Sequence, residues 1–255
     1  VCLAIVGFQP SPAVRLLVAA NRDEFYGRPA RPAAFWEETP TVLGGRDLEK
    51  GGSWFGLDTS GRFALLTNYR DPKDVKPGAP SRGLLIQEYL GSKTAPADFV
   101  AGLEQRAAVY NGFNLILGDL LEFWWFSNRT GEKRRLGPGL YGLSNALLDT
   151  PWPKVTRTKA RVAELLQNTD ISPERGFEIL ADSRPAADSE LPETGVGLDL
   201  ERVLSSPFIR CPGYGTRSST FVLVGADGRV DFIERTFAPA DLAATDVRFE
   251  FELPR

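Results

Sequence analysis

Cys2 stands beside the start of the chain, and Asn21-Arg22-Asp23-Glu24 brings an amide, a guanidinium and two carboxylates to the end of an apolar segment. A thiol that meets those groups next to a free α-amine has what an N-terminal nucleophile needs, because the amine can act as its base. An α-amine titrates at about 7.7–8.0 and a free thiol at about 8.5, so both are usable near neutral pH. The 255 residues contain no histidine. That excludes Ser-His-Asp and Cys-His catalysis and every histidine-bearing zinc or haem site, and leaves a nucleophile in need of a different base. The other reading of the same residues is structural, with Cys2 a small buried hydrophobe and Asn21, Arg22 and Asp23 a hydrogen-bonded corner. Methionine is absent too, so position 1 is either a start codon written as valine or a processed end.

The element that must position these groups is a hairpin. Residues 1–8 and 14–25 are apolar, β-branched runs separated by Gln9-Pro10-Ser11-Pro12-Ala13, whose prolines set a turn. Antiparallel pairing then carries Asn21, Arg22 and Asp23 back beside Cys2. Arg28-Pro29-Ala30-Arg31-Pro32 breaks regular structure. A second β region covers residues 42–57 and 63–68, and its glycines at 44, 45, 51 and 52 point to close backbone approach or positive φ beside a pocket. Ser81 caps a helix that ends at Gly91, and Pro96 opens another. Residues 113–119 and 121–127 form a further hairpin whose aromatic run suits a sheet–sheet core. Asn128 and a basic stretch, 129–135, follow as an exposed turn.

Helices start at Trp152-Pro153 and at Pro173, the former with Lys154, Arg157, Lys159 and Arg161 mostly outward. Residues 182–197 read as a long loop, and strands return over 208–211, 215–224, 230–237 and 247–253. Strands, two helices, strands, two helices and strands make two antiparallel sheets packed face to face, each with helices outside. The whole chain is expected to be one domain.

Bulk properties nominate few partners. A net charge of −3 with no long basic block argues against nucleic acid. The apolar stretch over residues 14–20, interrupted by Arg15, is far short of the roughly 20 residues a spanning helix needs. Without a basic flank or a small-residue cleavage site the N-terminal run does not read as a secretory signal, so a cytoplasmic home is the expectation. Cys2 and Cys211 do not make a disulfide framework.

Cys2, Asn21-Arg22-Asp23-Glu24, Gly51-Gly52-Ser53-Trp54-Phe55-Gly56, Thr67-Asn68-Tyr69-Arg70, Gly142-Leu143-Ser144-Asn145 and Thr216-Arg217-Ser218-Ser219-Thr220 occur in this order. Together they resemble the NRDE family, which includes the transport and Golgi organisation protein 2 homologues. The resemblance spans essentially the whole chain. It implies an α+β fold, a four-layer αββα sandwich of two antiparallel sheets of the N-terminal nucleophile hydrolase kind, similar at longer range to the choloylglycine hydrolase and penicillin acylase group. By that likeness Cys2 would be the nucleophile, Asp23 would hold the α-amine, Asn68 and Asn145 would help form the oxyanion site, and Arg217 would lie near the thiol. Asn21, Arg22 and Trp54 would contribute to binding. One departure stands out: that group has an arginine three residues before the aspartate, where this chain has Ala20, and Arg22 directly precedes Asp23. Successive strand residues face opposite sides, which counts against Arg22 reaching the thiol.

Two functions follow from the resemblance. One is a cysteine hydrolase, without cofactor, that cleaves a non-peptide amide or related acyl bond of a small apolar molecule. The other is a carrier on the same fold for haem, acyl-CoA or another lipid-like ligand. Cys211-Pro212 is similar to short haem-responsive motifs, but a cysteine that ends a strand before a turn is the simpler account.

Overall fold

Apolar runs too short for helices, separated by Gly, Pro and Asp turns, pair into two antiparallel sheets in the computed structural model, which describes residues 3–168, 171–238 and 243–254. In chain order the first elements are strands β1 (Leu3–Ser11), β2 (Val14–Phe25), β3 (Ala30–Phe35), β4 (Val42–Asp47), β5 (Phe55–Asp58) and β6 (Phe63–Asn68). Helices α1 (Leu84–Gly91) and α2 (Pro96–Glu104) come next, then β7 (Phe113–Gly118), β8 (Phe123–Ser127), β9 (Lys133–Leu136) and β10 (Gly139–Leu143). Helices α3 (Pro153–Leu165), α4 (Pro173–Leu180) and α5 (Leu198–Leu204) precede β11 (Arg210–Cys211), β12 (Tyr214–Gly225), β13 (Arg229–Phe237) and β14 (Ala244–Glu252).

One sheet runs β10-β1-β2-β12-β13-β14, with β11 paired to β12, and so joins the two ends of the sequence. The other runs from β3 to β9 in sequence order, each strand beside its neighbour in the chain. Strands buried on both faces lose the polar alternation of a half-exposed sheet. In β2, Leu16, Val18 and Ala20 enter the layer between the sheets, where they meet Phe55, Phe63, Phe123 and Trp125. Leu17 and Ala19 point the other way, onto Val162 and Leu165 of α3 and Phe177 and Leu180 of α4. The second sheet buries its outer face under α1 and α2 through Leu85, Ile86, Tyr89, Phe99 and Leu103. Each fully buried Leu, Val or Phe stabilises this arrangement by about 1.5–3 kcal/mol. The result is the expected αββα stack, but strand alternation splits the aromatic run of β8: Phe123 and Trp125 enter the core between the sheets, whereas Phe126 and Trp124 pack on the α1–α2 side.

Prolines open α2, α3 and α4 at the first helical turn, where a missing N–H matters least. Ser81 does not cap α1: that helix starts at Leu84 after Gly83, with no side-chain cap. The stretch expected to break structure, residues 28–32, leads into β3, whose pairing with β4 shifts register between Arg31 and Ala34. The basic stretch after Asn128 contains β9, an edge strand on β8. Lys154, expected outward, is 1% exposed because Pro192, Glu201 and Leu204 lie over the start of α3. Asn128 is not a free surface turn either. Its Nδ2 donates to the Ala107, Tyr110 and Asn111 carbonyls and its Oδ1 accepts from the Phe113 N–H, which ties the loop after α2 to β7. Among the described residues no helix is long and apolar enough to cross a membrane.

Candidate functional site

The end of β2 runs past the start of β1. Leu3, the first described residue, is paired with Asn21, and Cys2 lies outside the described residues. Beyond that pair, β2 continues along β12, where Thr216 faces Asp23 and Ser218 faces Arg22; Arg217 is the extra residue of a bulge between them. A cleft of about 380 Å³ opens here, walled by residues 22–25, the turn that joins β4 to β5, Asn68 at the end of β6 and the loop before α1.

Two glycines close that wall. Gly51 and Gly52 have φ of +68° and +77°, and a Cβ on Gly52 would fall 2.3 Å from the Gly83 carbonyl carbon. The turn can therefore press on the loop before α1, where Ser53 N–H donates to Gly83 O at 3.1 Å.

Arg22 shares the inter-sheet face with Ala20 and is 5% exposed. Its guanidinium lies 4.2 Å from the centroid of the Trp54 ring, 3.7 Å from an Asp47 carboxylate oxygen and 3.9 Å from one of Glu24. Asp47 also accepts from Arg28 Nε at 2.7 Å and from the backbone N–H groups of Glu49 and Lys50 at 3.0 Å. Burial pushes the Asp47 carboxyl up, but the Lys50 N–H and the Arg28 guanidinium outweigh it and hold the group below the ordinary carboxylate range.

Asp23 lines the same cleft, is 5% exposed, and accepts from the Thr216 hydroxyl at 2.7 Å. Thr216 Oγ1 in turn accepts from Ile209 N–H at 2.9 Å, which fixes the hydroxyl that fixes the carboxylate. Asn68 is exposed in the cleft wall. Asn145, in the bend after β10, donates from Nδ2 to the Asn68 carbonyl at 3.0 Å, and its own carbonyl accepts from Arg70 N–H at 2.7 Å. So Arg22, Asp23, Trp54 and Asn68 share one cleft, and Asn145 is bonded to its wall.

Two further expected site residues, Asn21 and Arg217, are not among those that line the cleft. Asn21 is fully buried on the helix side of the sheet, because alternation sends it opposite to Arg22. There it donates to Leu180 O and Pro207 O at 2.9 and 2.8 Å and accepts from Ser219 Oγ at 2.6 Å, a brace between β2 and the end of α4 rather than a binding group. Arg217 Nη1 donates to the carbonyls of Phe25, Tyr26 and Arg28 at 3.0–3.2 Å and so shapes the turn after β2.

Arg28, Asp47, Lys50 and Arg82 also line the cleft, and the sequence reading missed them. The glycine pair at 51–52 was the available signal, since it marks the turn that carries Asp47 and Lys50. These side chains make the lining strongly charged, with Trp54 and Leu66 as apolar parts. Phe25, Ala79 and Pro80 add further apolar surface to the same lining. Cys211 ends its short strand at the turn to Tyr214 and donates its thiol to Tyr214 O at 3.2 Å. Among the described residues no group of three or more carboxylates and thiols converges as a metal site.

In overall structure the chain is similar to a single-residue variant of conjugated bile acid hydrolase from Clostridium perfringens, with a TM-score of 0.51 at 10% identity over 99% of this chain and 97% of that one. This likeness bears on the fold, which is that of the N-terminal nucleophile hydrolases. In sequence it is 39% identical to the Transport and Golgi organization protein 2 homolog of Bos taurus, over 94% of each chain, and 38% identical to that of Homo sapiens, over 99% of each. Residues 1–239 match the family model described as Transport and Golgi organisation 2. With the motifs in order, relatives matched along nearly their whole length and a family model that covers most of the sequence, the chain belongs to the Transport and Golgi organisation 2 family.

Proposed function

We infer that the protein is a cysteine hydrolase of the N-terminal nucleophile kind, acting on an amide or related acyl bond of a small molecule with polar as well as acyl parts. Cys2 Sγ attacks the carbonyl carbon as its proton passes to the α-amine, the C–N bond breaks as that proton goes to the leaving amine, and water then hydrolyses the thioester to the free acid. Asp23, held by Thr216, orients the amine. Asn68 and Asn145 donate to the oxyanion, where one such donor is typically worth about 2.7–4 kcal/mol of barrier. The observation that supports this reading is that Asp23 and Asn68 line one cleft, with Asn145 hydrogen-bonded to the Asn68 carbonyl, at the end of β2 that runs past the Leu3–Asn21 pair.

The charged lining favours a second reading, in which the same cleft holds the acidic head of a carried ligand, such as haem or acyl-CoA, without turnover. Mass spectrometry decides between them. In protein whose first residue is Cys2, incubation with a set of N-acyl amides should leave an acyl mass on the N-terminal peptide, and Cys2→Ala should abolish it. Ligand binding that survives Cys2→Ala, with no acyl adduct in the unsubstituted protein, would establish the carrier.

A further inference from the structure

Beneath the cleft lies an acid that the proposed reaction does not use. Glu234 is on β13 in phase with Val230 and Phe232, so its side chain enters the apolar layer between the sheets and is 1% exposed. Its Oε1 accepts the backbone N–H of Ala33 at 2.7 Å, and its Oε2 accepts the Thr220 hydroxyl at 3.4 Å. Ala33 falls where β3 loses register with β4, so its N–H is turned out of the ladder and needs another acceptor. The Glu234–Ala33 bond thus fastens the edge of the second sheet to the first, and the fastened strand pairs with β4, which carries Asp47.

The surroundings of Glu234 hold little charge. Ser218 and Thr220 flank it from β12, Val247 faces it from β14 and Ala33 meets it from β3. Arg22 of β2 is the cation that acts on it, from the same sheet face, through the ladder that sets Arg22 opposite Ser218 and Thr220 opposite Glu234. Burial pushes its carboxyl up to about 7, against the opposing pull of Ala33 N–H, Thr220 and Arg22. An amide would satisfy Ala33 equally well, so the charge itself has its consequence at Arg22.

We propose that Glu234 is a positioning residue of the candidate site, acting through Arg22 and through the β3–β4 edge, so that its charge sets the potential at the head of the cleft. This rests on the hydrolase reading for its effect on Cys2, but not for its effect on Arg22. Glu234→Gln keeps an acceptor for Ala33 and removes the charge. The full chain, unsubstituted and with E234Q, is followed by the NMR signal of Arg22 Nε and by iodoacetamide alkylation of Cys2 across neutral pH.

In the unsubstituted protein the Arg22 signal should shift with pH through a midpoint at about 7, and in E234Q that transition should vanish. On the hydrolase reading, alkylation of Cys2 should match at about pH 6 and be several-fold faster in E234Q at about pH 8.5, because the charge of Arg22 is then no longer offset by Glu234 and favours a thiolate at the head of the cleft. Thr220→Val gives an independent check. It removes one donor to the carboxylate, so the Arg22 midpoint should move up while the Ala33 bond remains. An Arg22 signal with the same pH course in all three proteins would overturn the proposal. An Arg22 signal that follows Glu234 while Cys2 reacts no faster than Cys211 would uphold the coupling and defeat the hydrolase reading instead.

Discussion

The ring of Trp54 lies under a buried cation: its centroid is 4.2 Å from the Arg22 guanidinium carbon, and Gly45 leaves room for it on the β4 side. A Cβ on Gly45 would fall 2.2 Å from Trp54 Cζ2. Gly45→Ala should therefore displace the ring and destabilise the fold by about 1–3 kcal/mol, as overpacking does. Trp54→Ala should cost about 3–5 kcal/mol. In the double variant the alanine meets a void, so a denaturant-melt cycle should show a total loss well below the sum of the two.

Asn68 and Asn145 should separate when mutated. Asn68 is exposed at the rim of the cleft, so Asn68→Ala should leave the melting temperature nearly unchanged while lowering turnover by roughly 100-fold or more. Asn145→Ala should lower turnover and also stability, by about 1 kcal/mol, because the bond to Asn68 O is lost. Equal stability losses at the two positions would contradict these assignments. Asn128→Ala, with four backbone partners removed, should destabilise by about 2 kcal/mol or more and affect turnover only through unfolding.

Arg217 should behave as a turn clamp. Arg217→Ala releases three carbonyls of the segment after β2 and should destabilise by about 2 kcal/mol. Arg217→Lys keeps the charge, but its ammonium stands on a shorter stem than Nη1 and does not reach all three carbonyls, so amide exchange at residues 25–28 should rise almost as much as in the alanine variant. Full protection in the lysine variant would show that charge, not geometry, matters there.

Stability should depend on pH through Glu234. Its carboxyl is raised to about 7 in the folded protein and titrates at about 4.3 when unfolded. The protonated buried form is the favoured one, so its contribution is fully present below about pH 4.3 and is lost as pH rises through about 7. Relative to E234Q, the unsubstituted protein should lose on the order of 3 kcal/mol between those limits, measured as the difference of urea midpoints. A difference that stays constant over this range would show that Glu234 titrates normally.

Local pattern carries most of the fold. Apolar runs bounded by Gly and Pro mark the strands, and Pro96, Pro153 and Pro173 mark three helix starts. Residues 28–32 mislead because two prolines and two arginines look like a breaker, yet a bulged edge strand tolerates them. Lys154 reads as outward because helix periodicity does not say which distant segment will cover an exposed face. At the site, Asp23, Asn68 and Asn145 are legible through the resemblance. Asn21 is not, because its brace depends on Leu180 and Pro207, far along the chain. Glu234 is half legible: its parity with Val230 and Phe232 marks it as inward, but the Ala33 N–H that accounts for it comes from another sheet.

The two sheets also differ in how far the chain must reach to make them. The second closes by pairing neighbours, whereas β2 needs β12, with Asn21 set against Ser219. Short loops close quickly and long ones slowly, so the β3–β9 sheet is the natural early structure and the β2–β12 ladder a late one. On the ribosome, Asp23 cannot meet Thr216 until most of the polypeptide has been synthesised. The residues of β2 are thus locked into place late, and a message truncated before Tyr214 yields a protein in which Asp23 has no Thr216 hydroxyl to hold it.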